Sequence, residues 1–419
     1  MAHDVATARP QIFDSFWIGG FEAATHINGQ GRRLDLMAAT QHDLQVDHDY
    51  QLLKGVGIRT VCDAARWHLI ECNGAFDFSS LAPMVVAAEH HGMQVMWTLL
   101  HYGMPHDVDV FSPEFPQRFA RFSAEVARFI QTHSKRVPFY TPINEISFFS
   151  WAAGHVGLFH PFKTRRGGDL KRQLVKAAIA SCDAIWKVDR RARVVHVDPV
   201  IHVVPPVMRP DLSEAAEHQR ESQFEAWDML AGIRAWELGG HPRYLDIMGV
   251  NFYHSNQWEY PNVRLRWEDT PRDARWRPLH KILSEVYDRY RRPLFVAETS
   301  HVGVGRADWI REIAAELWSA HDSGVPLEGI CLFPIIDRMD WTDENHWHNS
   351  GLWDLARRED GVLERVLHEE YAEALRHSQA LLARCGWGNP PEHDADEMTP
   401  APGRETDAAA LDAFPVQID

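Results

Sequence analysis

Eight times along the chain, a short run of β-branched and aromatic residues is apolar at consecutive rather than alternate positions, and a segment with helical periodicity follows it. A strand that is apolar on both sides must be covered on both faces, which calls for a parallel sheet under a layer of helices. The strand-like runs lie at residues 16–20, 58–64, 94–100, 137–145, 193–198, 244–253, 293–298 and 327–333. Helical patterns occupy 43–53, 79–91, 115–130, 169–188, 213–236, 279–290, 307–321 and 362–383, with Asp43 and Ser79 or Ser80 as candidate caps. In the third, Phe115, Phe119, Phe122, Val126 and Phe129 recur at steps of three and four, one face of a helix. Eight such units predict an α/β fold, a closed (β/α)8 TIM barrel with elaborated βα loops. An open doubly wound sheet competes, but no G-x-G-x-x-G follows the first strand.

Composition is consistent with one large core. The 419 residues are 45% hydrophobic, enough for a single barrel domain over 1–385, with two domains as the alternative on length. Residues 386–419 form an acidic, Pro/Ala-rich tail without periodicity and are expected to be disordered, although 411–416 offers a docking segment. The net charge of −16 argues against nucleic acid or an anionic membrane as partner, and Arg190-Arg191 and Arg291-Arg292 read as solvated helix ends. Five cysteines without a C-x-x-C pair, three of them (Cys62, Cys182, Cys331) in apolar surroundings, point to core thiols in a reducing compartment. Residues 1–10 lack an apolar signal core and no stretch of about 20 apolar residues exists, so a cytoplasmic protein is expected. His90-His91 and His346-Trp347-His348 lack helical ligand spacing and H-E-x-x-H is absent, so no metal is expected. Gly167-Gly168 reads as a turn and no phosphate loop is found, so no cofactor is expected either.

Two of the apolar strands end in carboxylates, which a packed core would reject. Glu145 closes Thr141-Pro142-Ile143-Asn144-Glu145, and Glu298 closes Leu294-Phe295-Val296-Ala297-Glu298. In a barrel of this type the strand C-termini form the active-site mouth, and strands four and seven face each other across it. Arg66, His101, Asn144 and Tyr253 stand at further exits. Two opposed carboxyls suit glycosidic cleavage, one protonated to assist the leaving oxygen and one ionised to attack the anomeric carbon. Arg66 and the Tyr253 hydroxyl are expected to keep the attacking group ionised. A carboxyl separation near 5 Å would mean retention, a wider one inversion.

From Phe16 to about Leu355 the chain resembles the retaining β-glycosidases of glycoside hydrolase family 1. Thr141-Pro142-Ile143-Asn144-Glu145-Ile146 is similar to that family's T-x-N-E-P segment, which implies Glu145 as acid/base and Asn144 as a ligand of the sugar 2-hydroxyl. Thr98-Leu99-Leu100-His101, Gly154 to Pro161 and Gly249-Val250-Asn251-Phe252-Tyr253 resemble further family segments, implying that His101 meets the sugar and Tyr253 the nucleophile. Ala297-Glu298-Thr299 stands where T-E-N carries the nucleophile. The departures fall on the sugar grip. His26 replaces a Gln, Asn28 an acidic residue, Phe333 a Trp, and Asp340, just before Trp341, the Glu that binds the O4/O6 end; Ile146 and Ser300 replace a Pro and a Gly.

Trp341, Trp347 and Trp353 after strand eight and Trp151 after strand four offer flat faces for pyranose rings. The expected activity is that of a retaining β-glycosidase on a small β-glycoside or oligosaccharide. A transglycosidase using the same intermediate and a carbohydrate-binding pseudoenzyme are the alternatives. The expected partner is a small-molecule carbohydrate, and oligomeric state is left open.

Overall fold

The computed structural model describes residues 12–387. Eight parallel strands, β1 (Trp17–Gly20), β2 (Thr60–Ala64), β3 (Gln94–Thr98), β4 (Phe139–Thr141), β5 (Arg193–Pro199), β6 (Ile247–Asn251), β7 (Leu294–Thr299) and β8 (Leu327–Leu332), close into a barrel in sequence order. Closure is by β1 against β8: Ile18 lies opposite Cys331 on one side and Thr60 on the other. The unbroken apolar runs follow from two separate cores. Ile18, Met96, Phe139, Val195 and Phe295 point inward and fill the lumen, while their neighbours Trp17, Val95, Tyr140, Val194 and Val296 pack against the helices outside. The lumen is tight at β6, where a Cβ on Gly249 would lie 2.6 Å from Ala297 Cβ and 2.7 Å from Val197 Cγ1.

Most helices lie where the periodicity predicts them. Phe115–His133, Gly167–Val188, Leu279–Tyr290 and Arg306–Asp322 each present one buried face. Two predictions fail. The segment 213–236 is not one helix but Ser213–Glu221, a 3-10 turn at Ser222–Phe224 and Glu225–Ala231, ended by Gly232 in the left-handed region at φ 77°. The segment 362–383 is not one helix either. Leu363–Leu367 pairs antiparallel with Trp353–Arg357, and the helix Glu369–Ala383 starts only where the His368 ring accepts the Tyr371 N–H. Leu363 and Arg365 are buried and Glu364 and Val366 exposed, a period of two that the apolar letters alone also allow as helix.

The caps differ too. His42–Gly55 has Gln41 at its N-cap, and Ala82–His91 begins after Leu81 without a side-chain cap, so neither Asp43 nor Ser79 or Ser80 plays that part. Trp387 is buried and stacks on Phe16 with ring centroids 4.5 Å apart. The rest of the expected tail and residues 1–11 lie outside the described residues. The five cysteines are free thiols, with Cys182, Cys331 and Cys385 buried, Cys62 half-buried and Cys72 exposed. Among the described residues no helix is long and apolar enough to cross a membrane.

Candidate active site

The strand C-termini build the site. β4 stops at Thr141, and the chain is then stitched between its neighbours: Asn144 N–H donates to Leu100 O at 3.0 Å and Glu145 N–H to Val197 O at 3.2 Å. Held this way, Glu145 adopts φ 47°, a left-handed conformation that costs a non-glycine residue about 1–3 kcal/mol. Tyr102, just past the β3 exit, is left-handed as well, at φ 65°. The two strained residues meet: the Tyr102 hydroxyl donates to Glu145 Oε2 in a short hydrogen bond. Asn251, at the end of β6, donates from Nδ2 to Glu145 Oε1 at 2.8 Å.

Glu298 sits on β7 itself, and its Oε2 accepts from the Tyr253 hydroxyl at 2.7 Å. A cavity reaches Glu298 and is lined also by His101, Asn144, Cys62, Phe21 and Phe333. Asn144 Nδ2 lies 3.3 Å from His101 Nε2 and 3.2 Å from the Tyr102 hydroxyl oxygen, so the β3 and β4 exits share one polar network. Behind it lies Glu22, two residues past β1, with Oε1 3.8 Å from His101 Nε2 and Oε2 3.4 Å from Arg338 Nε.

Burial dominates the electrostatics. It raises the Glu145 carboxyl above the ordinary value, with the Tyr102 and Asn251 donors working against it and the Glu22 charge adding to it. Glu298 is raised well above the ordinary value by burial and then by the Glu145 charge, against the single Tyr253 donor. Two carboxyls so coupled titrate as a pair, and a proton held by one favours the charge on the other. One expectation is corrected here. Arg66 does not hold Glu298 ionised: its Nη1 bonds Asp35 Oδ2 at 3.0 Å and Asp43 Oδ2 at 2.9 Å, outside the mouth. The β2 residues that line the cavity are Cys62 and Asp63, just before Arg66 in the chain.

The structure therefore gathers Glu145, Glu298, His101, Asn144 and Tyr253, and sends the others elsewhere or gives them other duties. His26 is buried with its ring 4.6 Å from that of Trp341 and 4.5 Å from that of Phe159, and burial, with the charges of His101 and Arg33, pushes its pKa down to about 3, so it stays neutral. Its Nδ1 has no hydrogen-bond partner. Asp340, expected at sugar hydroxyls, is used by its own loop: Oδ1 accepts from Thr342 N at 2.7 Å, Thr342 Oγ1 at 2.6 Å and Asp343 N at 3.1 Å, and Oδ2 lies 3.1 Å from His348 Nε2. Trp341 is half-buried, 5.8 Å from the Tyr102 ring, and its carbonyl accepts from Asn28 Nδ2 at 2.9 Å. Tyr102, Asn251, Glu22 and Arg338 are the site residues that sequence reasoning missed. Asn251 stood inside a segment already singled out, Tyr102 directly follows another, and Glu22 carries the same signature as Glu145, a carboxylate just past an apolar strand.

No protein-family model matches the chain, and no curated protein matches it. Solved structures do. The family 1 β-glucosidase from Thermotoga maritima superposes with a TM-score of 0.70 at 14% identity, over 90% of this chain and 98% of that one. The same enzyme in complex with isofagomine lactam gives 0.66 at 15%, over 84% and 88%. The AHE enzyme from Alicyclobacillus herbarius gives 0.70 at 16%, over 87% and 98%. The chain has the fold of the family 1 β-glucosidases along nearly its whole described length.

Proposed function

We propose that the protein is a retaining β-glycosidase acting on a small β-glycoside or oligosaccharide. The observation that carries this reading is the coupled pair itself: two neighbouring carboxyls, one just past the β4 exit and one on β7, each raised by burial and each bonded to its own tyrosine. With the shared proton on Glu145, ionised Glu298 attacks the anomeric carbon as Glu145 protonates the departing oxygen, so the glycosidic bond breaks and a glycosyl ester to Glu298 forms. Glu145, now ionised, takes a proton from water; that water displaces Glu298, and both carboxyls return to their first state. Tyr253 steadies Glu298 whenever it carries charge, and Tyr102 with Asn251 does the same for Glu145 after its proton has left. His101, Asn144 and Trp341 are the groups this reading sets against the sugar. The free thiols support a reducing compartment, which we take to be the cytoplasm.

The two glutamates should separate on leaving group. Glu145→Gln should retain most activity on aryl β-glycosides with a good leaving group and lose it on alkyl or sugar aglycones, which need protonation. Glu298→Gln should be inactive on both. Equal losses on both substrate classes in Glu145→Gln, or turnover by Glu298→Gln, would overturn the assignment.

A further inference from the structure

Beside the proposed catalytic pair, and independent of it, the loops after β6 and β7 bring together His254, Glu268 and His301, with one potential ligand atom of each within 4.8 Å of the others. His254 directly follows Tyr253, His301 comes three residues after Glu298, and Glu268 reaches in from the long loop after β6. Among the described residues, two atoms of this cluster are buried without a hydrogen-bond partner, His254 Nδ1 and Glu268 Oε2. An unmade hydrogen bond on a buried polar atom costs about 1–3 kcal/mol, and two in one cluster ask for a common partner.

The surroundings suit a cation. The lone pair of His254 Nδ1 is left for another partner. His301 Nδ1 lies 2.9 Å from the Val302 carbonyl, so an Nδ1–H donated there frees Nε2, now 3.0 Å from Glu268 Oε1. Ring nitrogens held by backbone carbonyls in this way are the usual support of metal-bound histidines. Without a cation the other tautomer serves: Nε2–H donates to Glu268 and Nδ1 accepts the Val302 N–H at 2.8 Å. Glu268 Oε1 is also 3.5 Å from Arg264 Nη2, which steadies that oxygen while Oε2 stays unpaired. The rings of Trp267 and Trp309 wall the cluster.

We propose that His254, Glu268 and His301 form a His2Glu site for a divalent transition cation of the zinc class, tying the β6 exit to the β7 exit beside the active-site mouth. Ligands drawn from two separate loops, and far apart within the first, leave no spacing signature, which is why neither the His90-His91 nor the His346-Trp347-His348 pair points to it.

The test uses the full-length protein, stripped with a chelator and dialysed against micromolar ZnCl2, with metal counted by elemental analysis. Because Asp47, His90 and His91 form a second, more exposed group of potential ligands, a His90→Ala/His91→Ala variant is the background. That variant should hold one zinc per chain, and adding Glu268→Gln or His254→Gln should weaken binding by about 100-fold or more. Co²⁺ in place of zinc should give a visible ligand-field band that the same substitutions abolish. Zinc should raise the melting temperature of the background variant but not of the Glu268→Gln variant, whose fold is checked by circular dichroism. No zinc on the background variant, or stoichiometric zinc retained after Glu268→Gln and His254→Gln, would overturn the proposal.

Discussion

Glu145 and Glu298 differ from ordinary surface carboxylates because neither can ionise without regard to the other. For Glu298 the charges nearby are anionic, Glu145 and Glu22, and Tyr253 supplies the single opposing hydrogen bond. The expected consequence is a pH profile of kcat/KM whose rising limb, the ionisation of the nucleophile, lies clearly above the ordinary carboxylate value of 4.5. A rising limb at ordinary carboxylate pH would contradict the arrangement. Tyr253→Phe removes the bond to the ionised form, so the limb should move further up and kcat/KM should fall about 10- to 100-fold. An unchanged limb would show that the hydroxyl does not act on Glu298. At this scale the sequence was legible where a residue breaks an apolar run, as Glu145 and Glu298 do. It was illegible where a role depends on direction. Cys62 lies within β2 and Arg66 just past its exit, and only the packing of Asp35 and of Asp43 on the helix His42–Gly55 decides that Arg66 is bonded there while Cys62 lines the cavity.

Among the elements, the barrel strands were readable because burial on both faces leaves no room for polar letters. The hairpin at Trp353–Arg357 and Leu363–Leu367 was not, since its pairing partner is chosen by tertiary contact and its letters allow either period. Gly249 shows how closely β5, β6 and β7 are fitted below the site. Gly249→Ala forces a Cβ to within 2.6 Å of Ala297 Cβ and 2.7 Å of Val197 Cγ1. Overpacking of this kind costs about 1–3 kcal/mol, so the urea midpoint should drop without a change in slope. An unaltered midpoint would mean that the strands shift apart at no cost.

For the whole molecule, closure depends on a buried charged cluster no motif announced. His42 Nδ1 meets Asp49 Oδ2 at 2.8 Å and Nε2 meets Asp63 Oδ2 at 3.1 Å, while Arg365 of the late hairpin grips Asp49 through Nε at 2.7 Å and Nη2 at 2.8 Å. The cluster joins the helix His42–Gly55 and β2 to the last strand pair of the described chain. Burial opposes the charge on His42, but Asp63 and Asp49 outweigh it and raise its pKa from 6.5 to about 9. A group raised on folding stabilises fully below its unfolded pKa and loses that contribution as pH climbs through the folded value. The free energy of unfolding should therefore fall by on the order of 3 kcal/mol between pH 6.5 and 9 in the wild type, and by much less in His42→Gln. Equal pH dependence in the two proteins would remove His42 from this role.

The most direct test of the central claim is the intact mass of the protein after exposure to activated 2-deoxy-2-fluoro β-glycosides, followed by peptide mapping. The expected result is one added sugar on the peptide that holds Glu298, present in Tyr253→Phe and absent from Glu298→Gln. A sugar attached elsewhere, or no adduct with glycones that the protein demonstrably cleaves, would contradict a covalent intermediate on Glu298.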